Sequence, residues 1–195
     1  MTINPKKQSR KQQILECLAS MLEEQKGARI TTANLAAEVG VSEAALYRHF
    51  PSKARMFESL IEFIEETIFS RINVITSSAN ESPDRIGQIM TLVITFAAKN
   101  PGISRILTGE ALTGEQERLR TRIAQFFNRL EVQLKQSLRE RAAAHGQSQD
   151  NAGQLANLYI NVIDGRLQQF VRSDFKRSPL EHWDEQWHLL RELVV

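Results

Sequence analysis

The sequence predicts an all-α protein in which a small head of three helices, residues 1–52, is carried on a larger helical body, residues 53–195. Three observations lead there. Nearly every segment between breakers repeats its apolar residues at spacings of three and four, the helical period. No segment holds the strict alternation of a half-buried strand. Finally, two short helical stretches joined by "GVS" lie between one ordinary helix and one very long one, the pattern of a compact head leading into a body.

Taken in order, the first helix carries Ile14, Leu15, Leu18, Met21 and Leu22 on one face and is expected to stop near Gly27. The two short helices fall at residues 32–39 and 43–49. After Pro51 a long helix aligns Phe57, Leu60, Ile61, Ile64, Ile68, Ile72 and Ile75 in a stripe. "SSANESP" reads as a loop, and Pro83 suits the first turn of the next helix, which is expected to end at Asn100-Pro101-Gly102. A short helix is expected around "ISRILTGEAL". A long one follows from Glu115 to Ala144, with Leu119, Ile123, Phe126, Phe127, Leu130, Leu134 and Leu138 along a packing seam. Beyond the loop "HGQSQDN", one helix carries Leu155, Leu158, Tyr159, Val162, Ile163, Leu167, Phe170 and Val171, and another Trp183, Trp187, Leu190 and Leu193.

Composition narrows the function. Twenty-five basic against 23 acidic residues leave a net charge of +2, so any nucleic-acid site must come from local clustering. Lys6, Lys7, Arg10 and Lys11 form such a cluster with no acid among them, whereas Glu58, Glu62, Glu65 and Glu66 follow each other without a base. Cys17 is the only cysteine, which excludes an internal disulfide and fits a reducing cytoplasm; its place on the apolar side of the first helix reads as a core thiol. No run approaches the roughly 18 apolar residues of a membrane span, and the N-terminus lacks an apolar signal core, so a soluble cytoplasmic protein is expected. His145, His182 and His188 lack ligand spacing, and neither a nucleophile elbow nor a phosphate-binding glycine loop occurs. Catalysis, a metal and a cofactor are therefore not expected.

The chemistry lies in "VSEAALYRHFPSK". Two short helices crossing sharply need a small residue at the crossing, a glycine in the turn and an apolar pin, and Ala36, Gly40 and Leu46, with Val39 and Val41, supply them. Thr31 and Thr32 can cap the first of the two helices and Ser42 the second. Glu43, Ala44, Ala45, Tyr47, Arg48 and His49 then face outward, where a DNA major groove would lie. The alanines permit close backbone approach and contact with thymine methyls; Tyr47 and His49 suit phosphates, Arg48 a phosphate or a guanine. Phe50 is held extended before Pro51, Ser52 caps the next helix, and Lys53 stands at a helix N-terminus that already favours a phosphate. The basic N-terminal arm, Lys6, Lys7, Arg10 and Lys11, adds phosphate or minor-groove contacts. With few long donors on the recognition helix, phosphate contacts and DNA shape are expected to carry much of the recognition.

"ITTANLAAEVGVSEAALYRHFPSKARMFESLIEFIE" resembles the TetR-type regulators, and "NPGISRILTGEAL", "RLRTRIAQFFNRLEVQLKQSLRE" and "FVRSDFKRSP" narrow the resemblance to the nucleoid occlusion factors of gamma-proteobacteria. The resemblance implies a homodimer on double-stranded palindromic DNA, one or more dimers to a site, associated with the nucleoid. There it would bind the C-terminal tail of the division protein FtsZ and antagonise division-ring assembly. One residue pattern bears on this independently. Phe63 points about 120° from the centre of the apolar stripe of its helix, so it lies either exposed or under a neighbouring helix. With Arg71, and with Leu92, Lys99 and Asn100 from the next helix, it would line an apolar groove with a cationic edge, suited to a short peptide bearing acidic and aliphatic residues. In nucleoid occlusion factors the corresponding region holds the FtsZ tail, and Lys99 stands where arginine is usual. A two-fold reader of DNA needs a symmetric contact, and Gly165, Phe170, Val171, Trp183 and Trp187 are the expected dimer interface. A ligand-released repressor with a pocket in the helical body is the alternative that the head alone would allow.

Overall fold

The computed structural model describes residues 9–24, 30–77 and 84–193. Among them are nine α-helices, one 3-10 turn and no strand. The head consists of α1 (Arg10–Glu24), α2 (Thr32–Val39) and α3 (Glu43–His49). Thr31 is extended and accepts the Asn34 N–H at 3.1 Å, which starts α2. Gly40 stops it by turning left-handed at φ 74°, so that Gly40 and Val41 N–H groups close on the Ala37 and Ala36 carbonyls. Ser42 repeats the capping device for α3 by accepting the Ala45 N–H at 3.2 Å. Ala36 and Leu46 are buried where the two helices cross.

Phe50 is extended and buried ahead of Pro51, and the Ser52 hydroxyl receives the Arg55 N–H, opening α4 (Lys53–Ser77). Phe57, Leu60, Ile61, Ile64, Ile68 and Ile72 form its buried stripe, while Ile75 is only half-buried. The next helix, α5 (Arg85–Lys99), starts from an Asp84 cap; Pro83 and Gly27 lie outside the described residues.

At Asn100-Pro101-Gly102 α5 ends as expected, with Asn100 as its C-cap, and a new helix starts in the same residues. Pro101 occupies the first position of α6 (Pro101–Leu107), where its missing N–H costs nothing. Gly102 is there for close approach: a Cβ on it would lie 2.0 Å from the Ala19 carbonyl oxygen of α1. The helix expected around "ISRILTGEAL" is accordingly α6, a left-handed Gly109 and a 3-10 turn at Glu110–Leu112. Arg105 completes this joint between head and body. Its buried guanidinium donates to the Leu22 carbonyl in the last turn of α1 at 2.9 Å and to Glu110 at 3.1 Å.

The long helices α7 (Glu117–Ala144) and α8 (Ala152–Arg172) pack along each other, and Phe126 of α7 meets Phe69 edge-on at 5.4 Å. The last helix, α9 (Trp183–Arg191), closes over α5 and α8. Trp183 donates to Thr91 and Trp187 to Asp84, each at 2.7 Å, and the Trp187 ring fills the space that a side chain at Gly87 would need. Tyr159 donates to the Leu190 carbonyl at 3.1 Å, and burial pushes its phenol up to about 12.

These contacts change the picture of the expected dimer residues. Phe170, Val171, Trp183 and Trp187 are buried within one chain, Phe170 against Phe175 and the two indole N–H groups donating to Thr91 and Asp84. Gly165 alone of the five stands on an open face, with no atom within 4 Å of where a Cβ would be. Leu158 and Leu193, expected among the apolar positions of their helices, are exposed.

Candidate DNA interface and partner groove

The outward face of α3 is held by a short hydrogen-bond chain. Tyr47 Oη donates to Thr32 Oγ1 at 3.3 Å, and Thr32 in turn donates to Glu43 at 2.8 Å. Thr32 therefore orients α3 rather than capping α2. Tyr47, Arg48, Glu43 and Ala44 are exposed; Ala45 and His49 are half-buried. Thr31 and Ser42 use an oxygen lone pair as caps, which leaves each O–H able to donate to a phosphate.

The basic cluster divides. Lys6 and Lys7 lie outside the described residues, whereas Arg10 and Lys11 belong to the first turn of α1 and not to an extended arm. Arg10 donates to Gln13, and Lys11 stands 5.9 Å from the centre of the Phe50 ring. Lys53 is engaged inside the chain: its Nζ meets Glu115 Oε1 at 2.6 Å and lies over the Phe57 ring. Cys17 is half-buried, and desolvation, then the carboxylates of Glu38 and Glu24, raise its thiol above the ordinary range, so it is a protonated packing thiol at neutral pH.

Below Lys53 the acidic run of α4 meets α7. Arg118 binds Glu58 at 2.7 Å, and Arg122 binds Glu62 at 3.2 Å and Glu65 at 2.7 Å. Hydrogen bonding to Glu65 is the chief cause of the raised pKa of Arg122. Glu58, Glu62 and Glu65, which looked unbalanced in sequence, are neutralised across a helix pair.

On the other side of α4, a groove of about 850 Å³ runs between α4 and α5. Phe63, Arg71, Leu92, Lys99 and Asn100 all line it. Phe63 is 48% exposed, its ring tilted toward Phe96 with 6.4 Å between ring centres, so it is not packed under a neighbouring helix. Asn100 is fixed by donating to the Phe96 carbonyl at 2.7 Å. Arg71 is exposed, its guanidinium 3.4 Å from the Thr67 carbonyl. The α4 wall is the row Phe63, Thr67, Arg71 and Ile75, one residue per turn; Leu92, Phe96 and Lys99 face it from α5. The far end is aromatic and acidic, made by Asp84 with Trp183, Asp184 and Trp187 of α9. Phe96 was signalled by its spacing from Leu92 and Lys99; the tryptophans had no local signal.

A capped helix-turn-helix head, a long linking helix and a helical body define a DNA-binding regulator of the TetR type. Residues 18–60 match the model of bacterial regulatory proteins of the tetR family, and residues 81–194 match the SlmA-like model of the tetracyclin repressor-like C-terminal domain. A TetR transcription regulator from Haloarcula marismortui shares the fold at a TM-score of 0.77 and 18% identity, covering 94% of this chain and 97% of its own. The MbdR regulator from Azoarcus sp. CIB does so at 0.75 and 17%, covering 95% and 97%. The sequence relatives are far nearer. A protein from Alteromonas mediterranea is 58% identical over 192 residues, covering 97% of this chain and 98% of its own length. One from Shewanella pealeana is 55% identical over 188 residues, covering 96% and 95%. Both are named nucleoid occlusion factor SlmA. The chain belongs to the SlmA branch of the TetR family.

Proposed function

We propose that this protein is a nucleoid occlusion factor. As a homodimer on palindromic chromosomal DNA it holds the C-terminal tail of FtsZ in the groove between α4 and α5 and antagonises division-ring assembly over the nucleoid. The observation that carries this reading is the groove itself: Phe63, Leu92 and Phe96 offer an apolar floor, with Arg71 and Lys99 beside it. An extended peptide with aliphatic and acidic residues matches that combination. The groove opens to solvent rather than closing into a cavity, which favours a peptide over an enclosed small ligand.

The head meets DNA through Tyr47, Arg48 and His49 of α3, with Ala44 and Ala45 permitting close approach and Thr31 and Ser42 donating to phosphates. Dimerisation uses the uncovered face of α8, where Leu158, Val162 and Gly165 follow at helical spacing and a second copy would cover them. No described helix is long and apolar enough to cross a membrane.

The test is fluorescence anisotropy of a labelled FtsZ C-terminal peptide titrated with the protein, alone and on a duplex selected from random sequence. Saturable binding that survives on DNA and is lost in Arg71→Ala supports the reading. Selected DNA binding without peptide binding returns the protein to the ligand-released repressors.

A further inference from the structure

We propose that Glu115 sets the DNA affinity of this protein by competing with the DNA backbone for Lys53. The inference rests on Lys53 as a phosphate contact and adds a residue of the body to the DNA-binding apparatus.

The argument starts from the ion pairs between α4 and the beginning of α7. In three of them α4 contributes the acid: Glu58 to Arg118, and Glu62 and Glu65 to Arg122. DNA repels those carboxylates and has no claim on the arginines they hold. The uppermost pair is reversed. Here α4 contributes the cation, Lys53, and the segment before α7 contributes the acid, Glu115, 2.6 Å away. Lys53 is the first residue of α4, beside the turn that follows α3, so it is the cation of these pairs that adjoins the recognition helix in the chain.

The two partners are unequally placed. Lys53 keeps 18% of its side chain exposed and Glu115 only 9%. A four-carbon stem can swing toward a phosphate without moving the backbone, whereas the carboxylate stays behind. Taking Lys53 away therefore leaves Glu115 largely desolvated without this cation, which opposes the transfer. Each phosphate contact releases a counterion from DNA, but while Lys53 stays with Glu115 it neutralises no phosphate, so the pair keeps this contact out of the salt dependence. Without the charge at 115, Lys53 would be available in full.

The experiment is anisotropy of a labelled palindromic duplex titrated with the full-length protein across a salt series. The variants are Glu115→Gln, Lys53→Gln/Glu115→Gln and Glu117→Gln, each checked for native helical signal. Glu115→Gln keeps the side-chain shape and is expected to bind DNA about tenfold tighter at ~0.1 M salt, with the salt slope steeper by about one. The double variant is expected to lose that gain. Glu117, exposed in the first turn of α7, reports long-range repulsion, and its variant should change affinity less than about twofold. Unchanged or weaker binding by Glu115→Gln, with the double variant weaker still, would overturn the competition while leaving Lys53 a phosphate contact. A gain that persists in the double variant would overturn both, because Glu115 would then act without Lys53. Absence of DNA binding by the unaltered protein would sink the proposed function itself.

Discussion

The outward face of α3 and the groove between α4 and α5 are built by opposite means. The α3 face comes from one stretch of about twenty residues, is shaped by caps and a left-handed glycine, and holds its side chains with short polar links such as Tyr47 to Thr32. The groove draws on three helices and on residues as far apart in sequence as Phe63 and Trp187, and its walls are shaped by packing, with Trp187 seated on Gly87 and Asn100 tied to Phe96. A surface of the first kind tolerates changes elsewhere in the chain. A surface of the second kind is only as good as the core behind it.

The comparison can be attacked first where the two regions join. Gly102→Ala drives a methyl against the Ala19 carbonyl, and strain in a tight core should cost about 2–4 kcal/mol, read as a lower midpoint of chemical denaturation. DNA and peptide binding should both suffer. Phe63→Ala comes next, and should weaken FtsZ-tail binding by about tenfold to a hundredfold while leaving duplex affinity and thermal stability unchanged. Tyr47→Phe is the mirror experiment: losing the hydroxyl should lower duplex affinity about fivefold, with peptide affinity intact. If either variant moved both ligands, the two surfaces would not be separable.

Smaller effects test the aromatic end of the groove. Trp187→Phe leaves Asp84 without its indole donor and should reduce stability by about 1–2 kcal/mol. Least of all, Tyr159 should ionise only near pH 12 in the folded protein, against about 10 when unfolded. Its stabilising contribution is complete below pH 10 and is lost as pH rises through 12, because the unfolded chain gives up that proton first. Denaturation midpoints should therefore fall more steeply in that window for the unaltered protein than for Tyr159→Phe.

What was legible in the sequence follows the same division. Thr31, Gly40, Ser42 and Leu46 act on neighbours a few residues away, so α2 and α3 could be read with their ends. Phe63 and Arg71 were legible too, since two helical turns put them on one face off the core stripe. Trp183 and Trp187 were expected at a dimer interface, but apolar bulk says nothing about which neighbour covers it; within the chain their indoles find acceptors at Thr91 and Asp84, distant in sequence. Asn100-Pro101-Gly102 was legible as the end of α5 but not as the start of α6. The residues that end one helix also begin another, and only the nearness of Ala19 reveals what Gly102 is for. Lys53 was placed correctly at its helix start, but an acid 62 positions away has no signature in the local chain.

That junction has a consequence for how the family can vary in length. Asn100 lines the groove, Pro101 opens α6 and Gly102 seats on α1, three duties in consecutive positions. Inserting one residue there would rotate everything after it by about 100° about the α6 axis, swinging the glycine from Ala19 and putting a side chain in its place. The exposed stretch between α7 and α8, residues 145–151, carries no such phase and can lengthen freely. Insertions and deletions among relatives should therefore gather in the second place and be absent from the first.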